Sequence, residues 1–411
     1  MEQMYPLLQN YTLLDITVPG THDSLTYDLS TIISLGADDS SPELSEILHL
    51  ASEIGITPSS WIRNQSKTQG LSVSQQLDSG VRFVDFRIMY TSDDWYSLHF
   101  MQSNHKAVDY LREVRSWIDS HPKEIVTLWL SKHGSPCATG EDQYPGVTVD
   151  QKRAFWSQLE QIMSGVLVNA QRFPINETTI GTLVANNNRV VVYASDYILF
   201  TGSSPYATDA CLIDNTLCSG VSDEVSGNKC EMQNFENAES ILKKDKAANK
   251  FFLMSMASSG TQNQLLYSFL VTYIDIDRQD NILKCAQTFN IPGMDSWCPP
   301  HLQDISQLTN YYNQISLEAS FTNQWGLPNA IYIDAVDSDG AIRTGTQLFK
   351  GNELSRYAYV ATLLHRNLRL ACTKPDPLCD QLLTAVLKSR ASFPYVRWND
   401  TEHGRIGNWP I

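Results

Sequence analysis

Three short stretches carry the side chains best suited to chemistry. In "TVPGTHDSL", residues 17–25, an apolar run opens directly into His22 and Asp23. In "VRFVDFRIM", residues 81–89, the alternate positions Val84, Phe86 and Ile88 form one apolar face, and Asp85 and Arg87 share the other with Val81, Phe83 and Met89. In "DDWYSLHF" Trp95, Ser97 and His99 fall on one strand face, and a hairpin with the preceding run would bring His99 near Arg87. Two histidines suit a reaction that takes a proton from a nucleophile and delivers another to a leaving group. An arginine between them stays charged, and its planar fork matches phosphate oxygens. This is the pattern of a metal-free phosphodiesterase. The structural alternatives are a buried Asp85–Arg87 pair that only tethers strands and histidines that are merely hydrogen-bonded core residues. A divalent cation held by His22, Asp23 and further carboxylates is the minority reading, because Arg87 would repel it.

Those residues need strands to aim them. Strand-like runs are expected at 13–18, 81–89, 95–100, 124–131, 189–194, 251–256 and 330–336. Helical patterns lie between most of them, at 71–79, 106–119, 150–164, 235–247, 262–274, 302–319 and 353–371. Alternation of strand and helix implies an α/β fold with parallel pairing, as a barrel or an open doubly wound sheet. His22, Arg87 and His99 then sit at strand ends, the place where parallel barrels build their chemistry. Residues 197–233 are rich in Ser, Gly, Asp and Cys without clear periodicity and read as a long ordered insertion. A single elaborated domain is expected, with the tail from 373 onward packed as an appendage.

The 411-residue chain carries 30 basic and 45 acidic residues, a net charge of −15, which disfavours nucleic acid or a strongly anionic bilayer as partner. The longest apolar runs, such as "FFLMSMA" at 251–257, are far shorter than the roughly 20 residues that span a bilayer. "MEQMYPLLQN" lacks the basic and apolar regions of a signal peptide. Eight cysteines nevertheless suggest small disulfide loops, Cys211–Cys218, Cys285–Cys298 and Cys372–Cys379, with Cys137 and Cys230 as a long-range pair. A secreted or extracellular setting is therefore favoured over the alternative of eight reduced thiols in the cytoplasm. Contact with a membrane surface would be local, and Trp61, Tyr197 and Phe200 are its candidate anchors or, as readily, packing residues.

Taken together, "VPGTHDSLTYDLS", "SVSQQLDSGVRFVDFRI", "YSLHF" and "HPKEIVTLWLSKHG" resemble, in order and spacing, the catalytic X domain of phosphatidylinositol-specific phospholipase C. The likeness is greatest to X-domain-only proteins and metal-independent bacterial enzymes, over about residues 10–135, and weaker through "RVVVYASD" and "NAIYIDAVDSDG" to about 340. It implies a distorted (β/α)8 TIM-type barrel over 1–372, with a long insertion at about 197–250 and a C-terminal appendage at 373–411. It also implies cleavage of phosphatidylinositol or a glycosylphosphatidylinositol-type lipid into diacylglycerol and inositol 1,2-cyclic phosphate. His22 would be the general base on the inositol 2-hydroxyl and His99 the general acid. Asp23 would orient His99, Asp334 would orient His22, and Arg87 would hold the phosphate in place of the calcium used by larger relatives. Asp85, Lys132 and Asp196 would contribute to substrate binding. No cofactor and no protein partner are implied. The competing functions are a catalytically silent lipid- or inositol-phosphate-binding protein on the same scaffold and a metal-dependent glycerophosphodiesterase-like enzyme.

Overall fold

The computed structural model describes residues 2–33, 48–91 without 50 and 54, 93–131, 147–194, 204–217, 224–257, 323–336 and 358–391, with scattered helical positions between 269 and 320. Eleven strands are described: β1 Val18–Thr21, β2 Leu29–Ile33, β3 Phe83–Tyr90, β4 Trp95–His99, β5 Met101–Lys106, β6 Val126–Ser131, β7 Val190–Ala194, β8 Ala207–Asp209, β9 Ile213–Leu217, β10 Phe251–Ser255 and β11 Ala330–Ile333. Eight of them form one parallel row in the order β9-β10-β11-β1-β3-β6-β7-β8. The remaining three form an antiparallel flap: β4 pairs with the far part of β3, β5 with β4, and β2 with β5.

The row is curled. Laid flat, its seven spacings would separate β8 from β9 by about 34 Å. Yet Asp209 and Ile213 are joined by the single 3-10 turn Ala210–Leu212, and four residues reach at most about 14 Å. The rings of the inner face record the same curvature. Phe251 on β10 stacks on Phe83 of β3 with centroids 5.6 Å apart and lies 5.8 Å from Tyr193 of β7. Trp129 on β6 lies 6.5 Å from Tyr332 on β11. None of these strands are neighbours in the row, so the rings meet across its hollow. Gly20 makes room for them: a Cβ there would stand 3.1 Å from the Cβ of Tyr332 and 3.2 Å from that of Phe83.

The alternation read in residues 81–89 fixes how the layers divide. Val84, Phe86 and Ile88 pack outward with Val126, Leu128 and Leu130 against helices that include Ala107–Ser120 and Val149–Ile162. Phe83 points inward among the rings, and Asp85 and Arg87 continue that inner face. The second of these helices starts at a capping box, Thr148 with Gln151, which supplies a partner for a first-turn amide that would otherwise lack one, and at the start of the first the Lys106 amide donates to Asp109. At the amino-terminal end of β3, Arg82 Nε lies 2.7 Å from Glu124 Oε2, both buried.

Two expectations need correction. The run at 13–18 is not a strand; β1 begins at Val18, and residues 13–17 form turns whose buried Leu13, Leu14 and Ile16 explain the apolar signal. The stretch 197–233 is not simply an insertion, since β8 and β9 supply two strands of the parallel row and the helix Glu224–Ala247 begins within it. Short strands that are largely polar carried too little periodicity to announce themselves. The same holds for β2 and the polar β5, "MQSNHK". In the C-terminal region the helix Pro377–Ala391 is joined by the Cys372–Cys379 disulfide to the end of the helix Ala358–Ala371. Cys211 and Cys230 are disulfide-bonded as well, whereas Cys137, Cys218, Cys285 and Cys298 lie outside the described residues. Among the described residues no helix is long and apolar enough to cross a membrane.

Candidate active site

β1 and β11 run side by side in register, Thr21 opposite Ile333, so His22 and Asp334 emerge together at their carboxyl ends. His22 Nδ1 is 2.8 Å from Asp334 Oδ1. A carboxylate only accepts, so Nδ1 carries the proton and Nε2 is the reactive nitrogen. The His22 ring also stacks on Tyr332, with centroids 5.2 Å apart and planes 14° from parallel. Immediately after each of these residues the chain turns through positive φ, 44° at Asp23 and 45° at Ala335. This is an uncommon conformation for side chains other than Gly, Asn and Asp, and at both places the surrounding hydrogen bonds impose it.

β3 projects past β1, which places Arg87 beside that turn. Arg87 Nε lies 2.6 Å from Asp23 Oδ1, its Nη2 4.0 Å from Asp85 Oδ2, and the same Nη2 3.4 Å from His22 Nε2. Asp85 Oδ2 accepts from the Asp23 amide at 3.0 Å, which fixes the turn that aims Asp23. The flap returns His99 to the same cleft. Its Nδ1 is 3.7 Å from Asp23 Oδ2, which is also 3.5 Å from His22 Nε2. The carboxylates form the floor, with the side chains of Asp23 and Asp85 wholly inaccessible, while those of His22 and His99 are 20% and 17% exposed at the mouth. Burial alone would lower the pKa of His22, but the carboxylates of Asp23 and Asp334 outweigh it and raise the pKa to about 9.

Five predicted residues, His22, Asp23, Arg87, His99 and Asp334, thus converge, with Asp85 beneath them. Lys132 and Asp196 lie outside the described residues, as do Tyr197 and Phe200; Trp61 is buried against Phe269. One orientation differs from expectation. The hydrogen-bond partner of His99 Nδ1 is the backbone carbonyl of Ser66, at 2.7 Å, while Asp23 stands a full ångström further off and gives its shortest contact to Arg87. His22, Asp23 and Asp85 could also bring ligand atoms within 4.8 Å of one another, as a cation would require. The Arg87 guanidinium already stands among those same atoms.

A bracket of four residues, Ser66–Gln69, escaped the sequence reading. Besides the Ser66 carbonyl on His99, Thr68 Oγ1 donates to the carbonyls of His22 and Asp23, and the Thr68 carbonyl accepts from the Ala335 amide at 2.6 Å. Gln69 Nε2 bridges the carbonyls of His22 and Ile333, both at 2.9 Å, and its Oε1 accepts from the Val336 amide. Gln69 is completely buried. Asn310 closes the other side by donating to the carbonyls of Asp334 and Ala335. The available signal was "SKTQG" itself, a polar run between a buried helix and a capped one, which nothing but tertiary contact explains.

Comparison with known proteins adds a family. Residues 50–212 match the PI-PLC X domain, a span that takes in Arg87 and His99 and leaves His22 and Asp334 outside it. PI-PLC X domain-containing protein 1 of Mus musculus is 34% identical over 185 residues, 40% of this chain and 51% of the mouse protein. The Homo sapiens protein of that name is 30% identical over 132 residues, 31% of this chain and 40% of that protein. The matched segment therefore spans about half, or less, of the length of these relatives. Among solved structures, a phosphatidylinositol-specific phospholipase C from Listeria monocytogenes aligns over 81% of this chain and 92% of its own, at 14% identity and a TM-score of 0.46.

Proposed function

Because the chain belongs to the PI-PLC X domain family, we propose that it is a phosphodiesterase that cleaves the glycerol–phosphate bond of phosphatidylinositol-type lipids without a metal. The observation that carries this reading is the pairing of two imidazoles, each held through Nδ1 by its own acceptor, around one guanidinium.

Each residue has a role that its surroundings support. His22 Nε2, with Nδ1 held by Asp334, removes the proton from the inositol 2-hydroxyl, and that oxygen attacks phosphorus. Attack from within the substrate avoids the entropy cost of bringing in water. Arg87 holds the non-bridging oxygens and stabilises their developing charge. His99, its Nδ1 proton given to Ser66, protonates the departing glycerol oxygen from Nε2. Asp23 lies between the two imidazoles and the guanidinium, and together with Asp334 it favours the charged form of His22. Asp85, Lys132 and Asp196 complete substrate binding, and the lipid is met at a membrane surface. Among the described residues the curled row forms an incomplete (β/α)8 barrel, with no ladder between β8 and β9 and with the site at its carboxyl end. The disulfides favour a secreted protein.

The test is phosphorus NMR of phosphatidylinositol micelles incubated with wild type and His22→Ala, each with and without excess chelator. A five-membered cyclic phosphodiester that accumulates only with wild type supports the reading. Equal silence of both proteins would favour a binding role, and loss of wild-type turnover on chelation would favour a metal enzyme.

A further inference from the structure

The opposite end of the strands carries a second concentration of charge. A cavity of about 210 Å³ opens where the chain enters β1 and β11, between the last turns of the helices Glu224–Ala247 and Ala358–Ala371. Among the described residues Lys243, Lys246 and Arg366 line it against one carboxylate, Asp15. That carboxylate is already engaged, because Lys246 Nζ and Thr12 are bonded to it. Asn367, also at the wall, is spent on holding the backbone of Thr17, whose amide and carbonyl it bonds at 3.0 and 2.6 Å. The cavity wall is thus held in shape by polar contacts that leave Arg366 out.

Arg366 is half-buried and has no hydrogen bond or ion pair among the described residues. Its surroundings disfavour its charge: burial and the neighbouring cation Arg369 both depress its pKa. A desolvated guanidinium without an acceptor is costly, and an anion is what relieves it. The excess of cations here also runs against the charge of the whole chain, which is −15. The volume falls below the roughly 300 Å³ at which pockets for drug-sized ligands begin, so the occupant is small. Thr17 and His22 are five positions apart, about 16 Å along a strand, which keeps this cavity distinct from the cleft around Arg87.

We infer that this cavity is a binding site for a small phosphate-type anion, gripped by the Arg366 fork and by Lys243, at the end of the strands remote from the two histidines. The anion could be free in solution or carried on a lipid headgroup, and the experiment separates the two.

The protein to use is Arg87→Met, which removes the guanidinium of the other site, titrated calorimetrically with inorganic phosphate at constant ionic strength. One equivalent of phosphate should bind. Adding Arg366→Met should weaken binding tenfold or more, Lys243→Ala should weaken it several-fold, and Arg366→Lys should retain part of it. Lys243 is exposed, so its variant keeps the test decisive should Arg366→Met not fold. In the second arm, sedimentation with phosphatidylinositol vesicles that depends on Arg366 assigns the anion to a headgroup, whereas phosphate binding alone assigns it to solution. An unchanged phosphate affinity in Arg366→Met or in Lys243→Ala, or complete loss of phosphate binding on Arg87→Met alone, overturns the inference.

Discussion

His22 and Asp334 leave neighbouring parallel strands at the same register position, and the 2.8 Å bond between them sets the tautomer of the neutral imidazole, while Asp23 and then Asp334 favour its charged form. Because Asp23 and Asp334 raise the pKa of His22 to about 9, the base form is the minor one at pH 7. The kcat/KM of lipid cleavage should therefore rise with pH up to about 9. Asp334→Asn should move that limb to lower pH while reducing the rate about 10²-fold or more. A limb that stays in place in Asp334→Asn would remove His22 from the role of base.

The same group sets the sign of a stability effect. Its folded pKa lies above the unfolded value of 6.5, so its ion pairs stabilise the fold fully below about pH 6.5, and that contribution is lost as pH rises through 9. Urea midpoints of wild type should fall between pH 7 and 9.5 by more than those of His22→Gln. Parallel curves for the two proteins would contradict the raised pKa.

Gln69 touches no position where substrate would react, yet it ties the two strand ends together. Gln69→Leu removes the partner of the Val336 amide, at a cost of about 1–3 kcal/mol, while the carbonyls of His22 and Ile333 keep their bonds from Thr68 Oγ1 and the His22 amide. If its part is to position His22, kcat should drop while KM changes little, and the alkaline pH limb should shift. A loss of stability with both kinetic parameters and the limb unchanged would make Gln69 a structural residue only.

Arg82 and Glu124 form a buried pair at the other end of β3, far from the cleft. Arg82→Met strands a buried carboxylate and should cost about 3–5 kcal/mol in denaturant unfolding. Joining Glu124→Gln to it should recover part of that loss. A double variant no more stable than Arg82→Met would show that the pair's charges are not what the fold depends on.

Asp245 is fully buried, and burial together with the nearby Asp214 carboxyl pushes its pKa to about 6. A carboxyl whose pKa is raised on folding stabilises at low pH and loses that contribution as pH rises through about 4 to 6. Asp245→Asn should therefore raise the thermal midpoint at pH 7.5 and leave it nearly unchanged at pH 4. An equal shift at both pH values would indicate a packing effect instead.

How far these features could be read in the sequence follows from the range of the interactions that make them. The strand carrying Asp85 and Arg87 was legible because its alternation is local and strict. Its partner His99 was legible because a hairpin joins neighbours in sequence. The meeting of His22 with Asp334 spans 312 residues, and only the family resemblance suggested it. The Ser66 carbonyl on His99 had no sequence signature at all, since any residue type supplies a carbonyl. β8 and β9 were hidden for a different reason: each is a few residues long, and its neighbours are Ser, Asp and Cys, which signal loops.

The seam between β8 and β9 gives the scaffold an unusual fastening. Where a continuous ladder would close a hoop of strands through its main chain, here the ring of Phe251 reaches both Phe83 and Tyr193 and draws the two flanks together from inside. Among the described residues no ladder joins β8 to β9, so side chains fasten this seam, away from the histidines. Deuterium should enter the β8 and β9 amides first, while the cleft remains intact.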